Sequence, residues 1–483
     1  MSRYTVIDAR EIRHWDAEAD VVIAGLGAAG VCAAIEARGL GADVLVLERA
    51  SGGGGLTANA AGHVYSGGGT RVQNAVGVED SVADMMAYLL AVTPDPDEEK
   101  IRLYCEESVD HFNWLTQQGV PFNDTMYKGK HVLQMTDECL IWSGNEEVWP
   151  YREKAKPAPR GHKVAQVGEL GGAKMMEKLI ARAQQLGVRV VVDAHVHTLV
   201  RDGDRIVGVR YAVFGEERAA RARRGVILAT GHFTANEEML KQYCPKLTDP
   251  RMTRQMTPYD DGSGIQLGLA VGGVADHMEG ALVTCPFYPP EKLIKGILVN
   301  KLGKRFVAED SYHSRTSIIT SEQPDGIAYL IVDDECFGRP EFGGYEPIDA
   351  WDGFAEMERD LGMPEGSLQE TIRRFNENSA KGKDPDFHKG KKWLKPLDHP
   401  PYAALQASVG AGAWMCFTLG GLRVSKDGEV VRGDGTSVPG LYAVGACASN
   451  IAQDGTGYSS GTCIGESTFF GRRAGRHAAR VSA

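Results

Sequence analysis

Asp20-Val-Val-Ile-Ala-Gly25-Leu-Gly-Ala-Ala-Gly30 is a short apolar run that breaks into a glycine turn. Asp20 to Ala24, bounded by glycine, has the pattern of a strand buried on both faces. Gly25, Gly27 and Gly30 permit a tight turn that brings backbone N–H groups close to a phosphate at a helix start. The alanine-rich residues Val31 to Arg38 then predict a helix, and Asp43 to Leu47 a second buried strand. Glu48 follows, eighteen residues after Gly30, where a carboxylate accepts from a ribose hydroxyl. Strand, turn, helix, strand and acid make a βαβ nucleotide unit, and this pattern serves NAD and FAD alike.

Outward from this unit, Gly52 to Thr70 is dense in glycine and holds Thr57, which suits a second pyrophosphate contact beside a flat ring. Ala58, Ala60, Ala61, Val64 and Tyr65 interleave apolar side chains there, which a plain linker would lack. Helical spacing runs through 80–120 and again through 173–186. Residues 189–213 read as a small β-meander with an Asp-Gly-Asp turn at 202–204, and Gly225 to Gly231 as another buried strand. From about 273 prolines, aromatics and charges mix, with helices expected near 352–361 and 368–380 and a basic run at 381–395. Past 405 the glycine-rich apolar style returns, with a strand at Leu441–Val444 and a last helix from Gly461. The positive end of that helix would face a ligand and would suit the negative edge of a reduced flavin. The fold class expected is α/β, a Rossmann-like domain interrupted by an inserted one.

Composition narrows the partners. The 483 residues carry 64 acidic and 53 basic side chains, a net charge of −11, which argues against nucleic acid. Glycine reaches 59 residues without a three-residue repeat, and 43% of the chain is hydrophobic, as in globular domains. The longest weakly polar stretch, Val21 to Ile35, is too short for a transmembrane helix, and the charged N-terminus lacks a signal-peptide core. Nine cysteines stand singly, without a Cys-x-x-Cys pair or metal spacing, so a metal-free cytoplasmic protein is expected.

Six ordered motifs carry a resemblance. The fingerprint at 25–30, GGGGLT at 52–57, ATGHFTANEEML at 229–240, DDGSGIQLG at 260–268, LVNKLGKRFVAED at 298–310 and the block at 440–465 resemble the fumarate-reductase-like flavoproteins. Among these the chain resembles in particular the 3-ketosteroid dehydrogenases of the Δ4-(5α) type. The resemblance implies a glutathione-reductase/fumarate-reductase-type FAD domain at 1–272 and 405–483, with an α+β substrate-capping domain at 273–404. It implies FAD contacts at Gly25, Gly27, Ala29, Gly30, Glu48 and Arg49, and at Gly55, Thr57 and Gly62 of the loop. Val196, Thr230, Gly231, Asp261, Gly445, Ala446, Thr462 and Ile464 complete that set. Gly461 and Phe287 are expected against the substrate. Ala446 stands where many members carry a glutamate that touches the ribitol.

Members acting on dicarboxylates grip them with arginines, whose planar guanidinium binds carboxylate bidentately. One stands three residues after the glutamate matching Glu309, the other just before the last helix. Here those positions hold Tyr312 and Tyr458, so a small apolar ketone, a steroid, is the substrate implied. Tyr312, Tyr458 and Ser460 match the tyrosine, tyrosine and serine of the Δ4-(5α) enzymes. Ser460 would take the α-proton with help from Tyr312, while Tyr458 and a backbone N–H near Gly461 would polarise the carbonyl. Ser460 could also cap the last helix. His63, His162 and His232 are read as structural, with His232 near the cofactor at most. Cys447 and Cys463 fall near the flavin without a redox pairing pattern, and the basic run as a solvated face. An ene-reductase of the same fold and a non-catalytic flavin scaffold remain alternatives. The electron acceptor, oligomeric state, steroid face and covalent attachment of FAD stay open at this level.

Overall fold

A computed structural model describes residues 4–130, 134–285, 291–340 and 344–482. Val21, Val22 and Ile23 have no solvent exposure, and their strand, Ala17–Ala24, lies inside a nine-stranded sheet. On one side it pairs in parallel with Val44–Leu47, which pairs in parallel with Arg189–Val191. On the other it pairs in parallel with Glu216–Leu228, which is joined in parallel by Ser437–Ala443. The C-terminal segment thus returns to the sheet begun near the N-terminus. The expected meander divides: Arg189–Val191 extends the parallel edge, while Ala194–Asp202 and Arg205–Val213 form an antiparallel hairpin joined to Glu216–Leu228.

The helix after the glycine turn spans Ala28–Gly39, starting three residues before the sequence estimate because Gly27 is its extended N-cap. It packs against the last helix, Thr462–Arg480, through backbone. A Cβ at Gly471 or Gly475 would sit 2.4 or 2.3 Å from the carbonyl oxygens of Ala29 or Ala33. Glycine on one helix and alanine on the other therefore set how closely the two approach. The 80–120 region resolves into Val82–Val92, Glu98–Glu106 and Ser108–Gln117, the first two capped by Ser81 and Asp97.

The inserted part is built on an antiparallel sheet of Ile297–Asn300, Ala328–Asp333, Tyr402–Gln406 and Pro347–Trp351. Tyr402–Gln406 runs across the expected boundary at 404/405. Ala281–Thr284 pairs with Met415–Thr418, stitching together the two places where the chain passes between the parts. The basic run is not a uniformly solvated face. Lys389 is buried, 3.2 Å from Glu309 and donating to the Gly296 carbonyl at 2.6 Å. Arg305 bridges Glu309 and Asp384 at 2.9 and 3.0 Å. Lysine and arginine here neutralise buried carboxylates, which alternation of charge in the sequence does not reveal. Among the described residues no helix is long and apolar enough to cross a membrane.

Candidate active site

A cavity of about 870 Å³ opens where the carboxyl ends of the parallel strands meet the inserted part. Ligand pockets commonly measure about 300–1,000 Å³, and α/β sheets place them at this edge. Its wall at one end holds Glu48, Arg49 and Val196, and at the other Tyr312, Tyr458 and Ser460.

The nucleotide end is pinned by Glu48, whose carboxylate accepts from the Leu26 and Ala50 amides at 2.6 and 2.8 Å. Burial raises its pKa against those hydrogen bonds. Gly25, at φ +106°, has room for no side chain: a Cβ would lie 2.3 Å from the Ala229 carbonyl oxygen. Gly27 differs, because a Cβ there would meet nothing within 4 Å. The turn is thus closed on the sheet side and open on the cavity side. Ala29, Gly55, Thr57 and Gly62 line the cavity from the first helix and the loop. Thr230, Gly231, Gly445, Ala446, Gly461 and Ile464 line it from the later strands and the last helix.

Three expected contacts lie off this wall. Gly30 presses on the turn instead, since a Cβ would come 2.1 Å from the Gly25 carbonyl oxygen. Asp261 turns to Arg49 and Tyr4, at 2.7 and 2.9 Å, and its neighbour Asp260 faces the cavity. Thr462 donates back to the Ser459 carbonyl at 2.9 Å. Phe287 lies outside the described residues. Beside Ala446, the last helix brings Glu466 and Ser467 to the wall, a feature missed in the sequence because Glu466 lies outside the motifs.

The far end is set by a loop that touches the segments of both Tyr312 and Ser460. Asn145 Oδ1 accepts from the Tyr312 amide at 2.9 Å, and the Ser143 carbonyl accepts from the Ser460 amide at 2.7 Å. So held, the Tyr312 and Ser460 hydroxyls lie 2.6 Å apart. The Tyr458 ring centroid is 6.4 Å from that of Tyr312, and both side chains line the cavity. Burial raises the pKa of both phenols well above the ordinary tyrosine value. Leu282, Phe417 and Leu419 supply apolar wall around them. The cavity's two arginines are already paired, Arg49 with Asp261 and Arg254 with Glu237. Ser460 does not cap the last helix; Gly461, at φ +98°, is the N-cap and the serine side chain goes to Tyr312.

His63 and His232 line the cavity, as does His313, which the sequence reading did not single out. The Nε2 atoms of all three are buried without a protein partner. Burial lowers their pKa, for His63 and His313 to about 3, so they stand neutral. His162 is structural, bonded to Thr70 at 2.8 Å. All nine cysteines are unpaired thiols, and Cys447 hydrogen-bonds with Thr230. Asp333, Asp398 and His399 place ligand atoms within 4.8 Å of one another, but Asp333 already holds Lys395 at 3.1 Å.

These features fit a dinucleotide carrying a flat ring. Gly27 leaves backbone exposed at an uncapped helix start, Glu48 ends the second strand, and buried imidazole nitrogens face the same space. FAD would be held by the Gly25–Ala29 turn, Glu48, the Gly55–Gly62 loop and the Gly445–Ile464 segment.

The comparisons agree with that fit. The family model described as FAD binding domain matches residues 20–463. The chain is 30% identical to the 3-oxo-5-alpha-steroid 4-dehydrogenase of Comamonas testosteroni, covering 89% of this chain and 93% of that one. It is 26% identical to the NADH:fumarate oxidoreductase of Klebsiella pneumoniae, over 95% of this chain and 48% of that protein. The crystal structure of 3-ketosteroid-delta4-(5alpha)-dehydrogenase from Rhodococcus jostii RHA1, in complex with 4-androstene-3,17-dione, superposes with a TM-score of 0.92. Identity there is 41%, covering 99% of this chain and 100% of that chain. The chain therefore belongs to the FAD-binding domain family and is an FAD-dependent oxidoreductase.

Proposed function

We propose that this flavoenzyme desaturates 3-ketosteroids in ring A, introducing a double bond at the Δ4 position. The supporting observation is the pair of hydroxyls of Tyr312 and Ser460, 2.6 Å apart beside Tyr458 in a chamber whose arginines are already paired. A dianion would meet phenols there, whereas a neutral ketone finds one donor and apolar wall. Tyr458, with the Gly461 amide on the same wall, donates to the ketone oxygen and acidifies the neighbouring C–H. Ser460 takes that proton while passing its own to Tyr312, which gives up its phenol proton in turn, a shared hydrogen bond making up for the weak basicity of a lone hydroxyl. Bound FAD supplies the acceptor for the β-hydrogen as hydride. The nine thiols, eight of them buried and none paired, suit the cytoplasm.

The test is turnover with a synthetic electron acceptor. A saturated 3-ketosteroid should yield the conjugated 4-ene-3-one, and succinate no fumarate. Oxidation of succinate, with the steroid unchanged, would overturn the reading.

A further inference from the structure

Tyr312 is a wall of two cavities. Behind the main one lies a pocket of about 30 Å³, also lined by Glu146, Glu147, Lys130, Glu309 and His313. At about 10–15 Å³ per enclosed water, it has room for two or three. Glu146 is 1% exposed and forms no ion pair among the described residues. Its carboxylate accepts from the Tyr65 hydroxyl at 3.2 Å and from the Gly144 amide at 2.9 Å. Next to it, half-exposed Glu147 pairs with surface Lys392 at 2.7 Å.

A proton leaving the substrate needs somewhere to stay. Tyr312 cannot hold the charge left after passing one on, because burial, with the charge of Glu146 added, raises its phenol against the Ser460 hydrogen bond. His313 is held neutral, its pKa near 3 through burial and the neighbouring His63. Burial works against the charge on Glu309, but Arg305 and Lys389 hold that carboxylate ionised. Glu146 differs: burial raises it to about 7, against its hydrogen bonds and the charge of Arg160. A carboxyl near neutrality can both accept and release a proton. The groups facing it are Tyr65, Tyr88 and Arg160 on its own side, with Asp80 neutralising Arg160 at 2.7 Å. Across the pocket stand Tyr312, Lys130, Glu147, Glu309 and His313.

We propose that Glu146 is the terminus of the proton path, taking across this pocket the proton that Ser460 and Tyr312 remove from the substrate. The α C–H bond breaks and its electron pair stays on the substrate as the enol system. The proton passes to Ser460, the serine proton to Tyr312, and the tyrosine proton through water to the Glu146 carboxylate. Glu146 becomes a carboxylic acid, keeps that proton while the product stays bound, and then releases it towards Glu147 and solvent. This rests on the desaturase reading, within which Glu146 acts through Tyr312 and touches neither substrate nor cofactor.

The experiment compares the holoenzyme with E146Q. Flavin content and steroid KM should be unchanged, while kcat falls about 100-fold. The inflection near pH 7 in the wild-type kcat profile should vanish. In the infrared difference spectrum of wild-type enzyme reduced by substrate, a protonated-carboxyl band should appear, and E146D should shift it. Equal kcat and an unaltered pH profile in E146Q would overturn the proposal. Should E146Q fail to bind flavin, a wild-type spectrum without the carboxyl band would overturn it equally. Wild-type enzyme that no saturated 3-ketosteroid reduces would instead refute the desaturase reading, a separate result.

Discussion

Tyr312 and Tyr458 are buried aromatic residues, and burial alone would make them packing. Position distinguishes them: the Tyr312 hydroxyl meets Ser460 at 2.6 Å, and Tyr458 stands beside it on the cavity wall. Y312F removes that bond and little volume, so flavin content and thermal midpoint should hold while turnover falls about 10²- to 10⁴-fold. Full activity in Y312F would exclude a relay through this hydroxyl. Y458F should lose about 10²- to 10³-fold in kcat, the usual cost of one donor on a developing oxyanion. Comparison with the pH dependence of Y312F separates the two roles. The trio was legible because its members occupy motif positions. Asn145 and Glu146 were not, because they reach the site only when a distant loop folds over it, and no local spacing marks them.

Glycine tells the same story at the scale of elements. The Gly25–Gly30 turn announced the fold, yet the sequence could not separate glycines that face ligand from glycines that face protein. The structure does: Gly27 opens on the cavity, whereas Gly25 and Gly30 touch backbone. G27A should leave the apoprotein's thermal midpoint unchanged and weaken FAD binding, read by flavin retention on dilution. G475A should do the reverse. Its Cβ would meet the Ala33 carbonyl oxygen at 2.3 Å, forcing two long helices apart at a cost of about 1–3 kcal/mol, with a lower midpoint. Equal effects of the two substitutions on both readouts would contradict this division. Strands and helices were largely readable from apolar periodicity. In the inserted part the helices Phe354–Asp360 and Ser367–Ser379 fall where expected, and the exception was its sheet, which orders strands by long-range pairing, and its buried Lys389–Glu309–Arg305 cluster, which looks in sequence like surface charge.

Across the whole molecule, buried titratable groups set the pH range of stability. His63, His111 and His313 fall to about 3 and His162 to about 4, from an ordinary 6.5, chiefly through burial. Below 6.5 the unfolded chain binds protons that these folded imidazoles refuse, so they make stability decline as pH falls. Glu146, Glu169 and Glu466 rise by burial from 4.5 to about 7, so their contribution is lost as pH climbs through 7. Between 4.5 and 6.5 the two sets oppose each other. The thermal midpoint of the holoenzyme should therefore be nearly flat across that window and decline on both sides. A midpoint rising steadily from pH 6.5 to about 8 would contradict this balance. Burial also lines the far end of the chamber with neutral imidazoles and phenols, His63, His313, Tyr312 and Tyr458, which suits an apolar ketone. One measurement bears on that conclusion most directly: anaerobic absorption of the purified protein, before and after adding a saturated 3-ketosteroid in its 5α and 5β forms. The flavin band should be present at the start and bleach with one of the two forms. A flavin that stays oxidised with both would contradict the assigned reaction, and protein purified without any flavin would contradict the site itself.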